Sequence, residues 1–169
     1  MITAAYVRMM ARYNSWQNDQ LMPVLLDMSK PSLTEDRGAF FGSILGTANH
    51  LLCGDMLWLS RLDPSMEPPY EAMAKWPKLH KDARSWAADR HRIDGKIRSW
   101  AENLRELDLT GELTCEPADG SASYRLPVTR AVVQFFNHQT HHRGQLHAML
   151  TAAGENAPVS DIIYMPEND

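Results

Sequence analysis

Apolar residues recur at three- and four-residue steps in four stretches of the chain, the spacing of amphipathic helices. The first stretch runs from about Thr3 to Met28, with Tyr6, Met9, Met10, Tyr13, Trp16, Gln17 and Leu21 at helical steps and Pro31 beyond its end. The second is predicted to start after Thr34, a good N-cap. Glu35 and Asp36 would then lie in its first turn, where the helix dipole favours acids. It runs to about Leu62 and stops before Pro64. A proline-rich connection, DPSMEPPYEAMAKWP, follows with room for one short helical turn. The third stretch covers about Leu79 to Leu104, with Trp86, Ile93, Ile97 and Trp100 as the inward stripe. The fourth starts near Pro127, a residue suited to the first helical position, and ends near Gly154, a residue suited to the position just past a helix.

Between the third and fourth stretches the period changes from helical to alternating. The segment ELTCEPADGSASYRL holds two short polar–apolar runs around Asp119-Gly120, a hairpin turn signal. In the tail ENAPVSDIIYMPEND, Ile162, Ile163 and Tyr164 are expected to pack back. The pattern therefore predicts an all-α protein: a four-helix bundle with a small β-hairpin before the last helix, in a single domain over residues 1–169.

Composition narrows the function classes. The 169 residues carry a formal net charge of -4, with a pI of about 5.9, whereas nucleic-acid binders usually show a basic footprint. No nucleic-acid partner is therefore expected. Neither Cys53 nor Cys115 sits in a CxxC pair, so both read as reduced thiols filling apolar space. No stretch approaches the ~18 apolar residues of a membrane span. The N-terminal segment is interrupted by arginines where a signal peptide needs an apolar run. These features predict a cytoplasmic protein with no membrane partner. Serine-hydrolase and nucleotide-binding chemistry lack their motifs, since no GxSxG, P-loop or GxGxxG occurs.

The candidate chemistry lies in the histidines. Three of the seven fall in one pentapeptide, His138-Gln139-Thr140-His141-His142. Residues four apart on a helix point the same way to within about 40°. His138 and His142 thus present two imidazoles one turn apart, a spacing that suits two ligands on one metal. The pair also interrupts the inward stripe of Val128, Ala131, Phe135, Leu146 and Met149. Two imidazoles in a core need partners, or cost roughly 1–3 kcal/mol each, and a metal supplies them. His141 is rotated off this face. His50 lies mid-helix in the second stretch with Ser43, Thr47, Gly54, Leu57 and Arg61 on its face and Ala39 and Gly46 nearby, and the small residues among them leave room for a ligand sphere. His80, His91 and His147 read as solvated. Three neutral nitrogens leave positions open on zinc, nickel, iron or manganese, as in catalytic more than structural sites. Imidazoles must be neutral to ligate, so metal loss is expected below about pH 6, near the histidine reference value.

At this point the sequence resembles a known family. The segment FNHQTHHRGQLHAML, Phe136–Leu150, is similar to the signature of the DinB (YfiT-like) family of metal-dependent enzymes. SILGTANHLLCGDMLWLSRL, Ser43–Leu62, resembles that family's second helix, and YNSWQNDQL, Tyr13–Leu21, its first. The third helix carries no motif that matches. The resemblance implies a four-helix bundle whose divalent metal is held by His50, His138 and His142, completed by waters. It implies a homodimer, and chemistry linked to low-molecular-weight thiols: S-transfer from a small thiol, or thiol-dependent isomerisation. The expected function is a metal-dependent enzyme on small molecules, using a metal-activated thiolate. A hydrolase using a metal-activated hydroxide and a non-enzymatic metal-binding or stress-response protein are the alternatives.

Residues around the metal are predicted less directly. Trp16 and Asn18 are candidates for the cavity wall, Gln145 for a bond to a bound water, and Asp161 for orienting a ligand imidazole. Arg143 points away from the histidine face and is expected to pair with an acid or meet a neighbouring subunit. Val132, Phe136 and Leu150 form a second apolar strip on the last helix, about 120–160° from His138. A second copy of the chain packed about a two-fold axis would cover that strip.

Overall fold

The computed structural model describes residues 2–117 and 121–167. Four long helices dominate it: α1 (Ala4–Asp27), α3 (Ile44–Leu62), α5 (Ala83–Asn103) and α6 (Val128–Ala152). Two short helices, α2 (Lys30–Thr34) and α4 (Tyr70–Lys75), sit in the connections. An antiparallel hairpin, β1 (Glu112–Cys115) and β2 (Tyr124–Pro127), precedes the last helix, with Leu113 opposite Leu126 and Cys115 opposite Tyr124. The expected all-α bundle with a hairpin decoration is thus observed. The Asp119-Gly120 turn lies outside the described residues. Among the described residues no helix is long and apolar enough to cross a membrane.

Local chemistry explains where the helices begin and stop. Thr3, Ser43 and Asp82 each accept a hydrogen bond from the backbone N–H three residues on, which caps α1, α3 and α5. At the far end of α6, Gly154 has φ 77°, and the amides of Gly154 and Glu155 return to the carbonyls of Thr151 and Leu150. Those paired returns, made through a left-handed glycine, are a Schellman stop.

The second long helix departs from the sequence reading. It starts at Ile44, not after Thr34, and Glu35 and Asp36 lie outside it. Gly38 and Gly42 take φ 68° and 74°, left-handed values that a continuing helix cannot contain. The chain between them turns back on itself, with Arg37 N–H donating to the Gly42 carbonyl at 2.7 Å. This loop carries Phe40 and Phe41. The third long helix likewise begins later than expected, at Ala83, because Asp82 supplies the cap.

α1 packs along α5, and α3 along α6, around one core that includes Leu51, Leu52, Trp86, Ile93, Phe135 and Phe136. The second strip on α6 is covered inside this core. Val132, Phe136 and Leu150 are at most 1% exposed, and Tyr6 of α1 meets Phe136 edge-on at 6.4 Å. The strip is therefore not a surface awaiting a second copy, because α6 is buried on two faces at once. Ile163 and Tyr164 in the tail are exposed rather than packed back. The tail is held instead through its backbone: Tyr13 Oη and Gln17 Nε2 donate to the carbonyls of Ser160 and Val159, both at 2.6 Å.

Candidate metal centre

α3 brings His50, and α6 brings His138 and His142, to one place between the two helices. The Nε2 atom of His50 lies 3.0 Å from that of His138 and 2.9 Å from that of His142. Among the described residues these three form the one cluster of ligand-type side chains that can hold a metal ion, with all three ligand atoms within 4.8 Å of one another. The separation fits: two nitrogens each about 2.1 Å from one ion, at adjacent positions, are themselves about 3 Å apart.

The hydrogen bonding around the rings fits as well. His142 Nδ1 lies 2.8 Å from Gln145 Oε1, and an amide oxygen only accepts, so that nitrogen carries the proton. The Nε2 of His142 is therefore left with its lone pair facing the other two rings. A partner of this kind on the remote nitrogen fixes ring and tautomer in metal-bound histidines. Gln145 thus acts on the imidazole itself, not on a bound water as the sequence suggested. His138 Nδ1 is buried with no hydrogen-bond partner among the described residues. One proton shared among three converging nitrogens cannot satisfy two contacts at His50, whereas a cation satisfies all three at once.

Packing holds the rings in place. Phe41 stacks on His50 with centroids 3.9 Å apart, and Trp76 approaches it at 5.1 Å. Phe41 also lies 5.6 Å from His142. Gly54 leaves the space that the His138 ring fills: a Cβ at position 54 would lie 2.5 Å from His138 Cε1. Gly46 plays the matching role for the aromatic loop, because a Cβ there would meet the Phe41 carbonyl oxygen.

Burial, then the neighbouring imidazoles, lowers His50 to about 3. Burial first, with His142 second, lowers His138 to about 4. His142 is lowered too, mainly by burial. All three rings are thus neutral at neutral pH, the form that can ligate a metal. Their values in the unfolded chain are near 6.5, above the folded values. The unfolded state therefore takes up protons first, and the contribution to stability, complete above about pH 6.5, is lost as pH falls toward the folded values. The metal-free protein is expected to melt at progressively lower temperature between pH 7 and pH 4, while added metal stays bound at pH 5.5, below the pH 6 threshold the reference value suggested. Melting curves and equilibrium dialysis across that range check this, and metal release centred on pH 6.5 would contradict it.

Beneath the histidines runs a polar network that the sequence reading missed. Arg90 of α5 is 0% exposed and donates to Asp55 Oδ2 of α3 and to Asp94 Oδ1, both at 2.7 Å. Asn14 and Asn18 of α1 donate to Asp94, and Gln139 Nε2 of α6 donates to Asp55 Oδ1 at 3.0 Å. Arg143 Nη1 donates to Asn14 Oδ1 at 2.5 Å, with its guanidinium 5.4 Å from the Tyr13 ring centre. All four long helices contribute. A signal was present: Arg90 and Asp94 sit among Trp86, Ile93 and Ile97 on the inward stripe of α5, where a solvated charge does not belong.

Other expectations are corrected by this network. Asn18 belongs to it and not to the metal cavity. Trp16 packs on Tyr13, at 6.0 Å. Arg143 is buried between α1 and α6, not at a subunit surface. Asp161 is exposed and acts electrostatically on Tyr13. His80 is not solvated: its Nε2 lies 3.1 Å from Asp89, and its backbone exchanges hydrogen bonds with Asn49, next to His50. His91, His141 and His147 are exposed.

Comparison with known proteins bears on the family and the fold. The family model of the DinB family matches residues 1–168. No curated protein matches the chain. Among solved structures, the crystal structure of a DinB-like protein from Bacillus cereus is similar at a TM-score of 0.63, with 18% identity over 86% of this chain and 91% of that one. That likeness concerns the fold.

Proposed function

The chain belongs to the DinB family, and from that membership and the histidine geometry we propose that it is a metal-dependent enzyme transferring the sulfur of a small thiol to an electrophilic small molecule. The observation that carries the reading is the convergence of three neutral Nε2 atoms, 2.9 and 3.0 Å apart, from His50, His138 and His142. Three protein ligands leave positions open, the arrangement of catalytic rather than structural sites. When bound, a divalent ion of the zinc, nickel, iron or manganese type supplies a Lewis acid that lowers the pKa of a thiol toward neutrality.

The chain's own residues do the rest. His50, His138 and His142 fix the ion, and Gln145 fixes His142. Phe41 and Trp76 shield His50 from water on the side they cover. In the reaction the thiol loses its proton to solvent, sulfur forms a bond to an electrophilic carbon, and the leaving group departs with its electron pair. This chemistry needs no carboxylate beside the ion, and none joins the histidine cluster among the described residues.

The test is a panel of low-molecular-weight thiols with chloronitrobenzene and epoxide acceptors, run with metal-loaded and metal-free protein. Thioether formation is expected with loaded protein only, and lost in His138→Ala. Equal rates with and without metal, or epoxide hydrolysis without thiol dependence, would reject the reading.

A further inference from the structure

Beside the histidine cluster lies a recess of about 160 Å³. One of its walls is His50 itself; the others are Cys53, Gly54 and Leu57 of α3, Met73 of α4, and Trp76 just after α4. Apart from the His50 ring, the lining is apolar. The Cys53 thiol does not change this. It is buried, its Sγ lies 3.9 Å from the Ala72 carbonyl, and burial pushes it up to about 12, so it stands as a neutral wall.

Size and polarity together define an occupant. An apolar cavity of ~150 Å³ takes a benzene ring. A charged or strongly polar group would give up part of its hydration here and find no partner on these walls besides the His50 ring. His50 is common to the recess and to the histidine cluster, so a molecule bound at an ion there has the recess beside it for its apolar body.

We propose that this recess is the specificity pocket of the metal centre, taking the aryl or compact alkyl group of an uncharged substrate, with Leu57 and Met73 setting its size and polarity. The proposal rests on the reading of His50, His138 and His142 as metal ligands. It separates two classes of small thiol or electrophile: those with a phenyl-sized apolar arm fit, and those whose reactive atom is followed closely by a carboxylate or sulfonate do not.

The experiment uses the full chain loaded with cobalt(II), followed by the thiolate-to-cobalt absorption band as phenylmethanethiol or 2-mercaptoethanesulfonate is added. Phenylmethanethiol is expected to bind about tenfold tighter or more, from burial of its ring. Leu57→Trp, which fills the recess, should remove that advantage while cobalt content and binding of the sulfonate stay unchanged. Met73→Lys, on a different helix, should invert the preference, and it carries the test if Leu57→Trp fails to fold. Cobalt uptake with equal affinity for the two thiols, or a preference untouched by both variants, would overturn the pocket alone. Failure to take up cobalt would overturn the metal reading and the pocket with it.

Discussion

Gly54→Ala is expected to strip the protein of its metal while leaving the fold as stable as before, or more so. The added methyl carbon would stand 2.5 Å from His138 Cε1 and 3.1 Å from Nδ1. Carbon atoms in contact settle at about 3.5–4.0 Å, so the ring must move by about 1 Å. Metal sites tolerate deviations of only about 0.2 Å in ligand distance. The ring is the end of a side chain and can swing away, which spares the fold and sacrifices the ligand. Replacing glycine by alanine inside a helix is itself favourable by up to about 1 kcal/mol. Metal affinity should therefore fall by about two orders of magnitude or more, while the melting temperature of the metal-free protein holds or rises. Titration with a competing chelator and a thermal melt read the two effects separately. An alanine variant with parent affinity would mean that His138 is not where a ligand must be.

Arg90→Met is expected to have the largest effect on stability. Arg90 is fully buried and bridges Asp55 and Asp94, themselves 0% and 4% exposed. A methionine fills the space but leaves two buried carboxylates without their ion-pair partner, with Arg143, bonded to Asn14, as the remaining buried cation within electrostatic reach. Breaking a buried pair from one side costs about 3–5 kcal/mol. For a domain of this size that corresponds to a drop of roughly 6–20 °C in melting temperature. The deficit should shrink as pH is lowered. Burial already raises Asp94, with Arg90 opposing it, and removal of Arg90 raises it further above its unfolded value. A group shifted upward in the folded state favours folding below its unfolded pKa and penalises it above, so the variant recovers toward pH 4. A loss under about 1 kcal/mol would show that water reaches the pair.

These two residues mark what the chain discloses about itself and what it withholds. The four long helices are legible because each repeats apolar residues over many turns, and the stop at Gly154 because the left-handed position needs glycine. His138 and His142 are legible because they break an apolar stripe at a one-turn spacing, and His50 because small residues surround it. The start of α3 is not legible. Thr34 and Glu35 satisfy every local rule for a helix start, and only the conformations at Gly38 and Gly42 override them. The Asp55–Arg90–Asp94 bridge is only half legible: Arg90 and Asp94 lie on the inward stripe of α5, but what satisfies them there, Asp55 of α3 and Asn14 and Asn18 of α1, lies on other helices. The same blindness made the Val132–Phe136–Leu150 strip look like an interface, since nothing local to α6 announces that Tyr6 covers it. Gln145 is legible as a neighbour of His142, but its contact with the imidazole and not with a water depends on the rotamer of His142 and emerges only in three dimensions.

The central claim is that His50, His138 and His142 together hold one divalent ion. Its most direct test is the metal content of the purified protein and of three single variants, His50→Ala, His138→Ala and His142→Ala, measured by elemental analysis after dialysis against a weak chelator. His91→Ala, at an exposed position on α5, serves as the control. The parent and the control should each carry about one equivalent of a transition metal, and each of the three variants several-fold less, with unchanged helical content. Equal metal in His138→Ala and the parent, or none in the parent after exposure to zinc, nickel, iron and manganese in turn, would contradict the account.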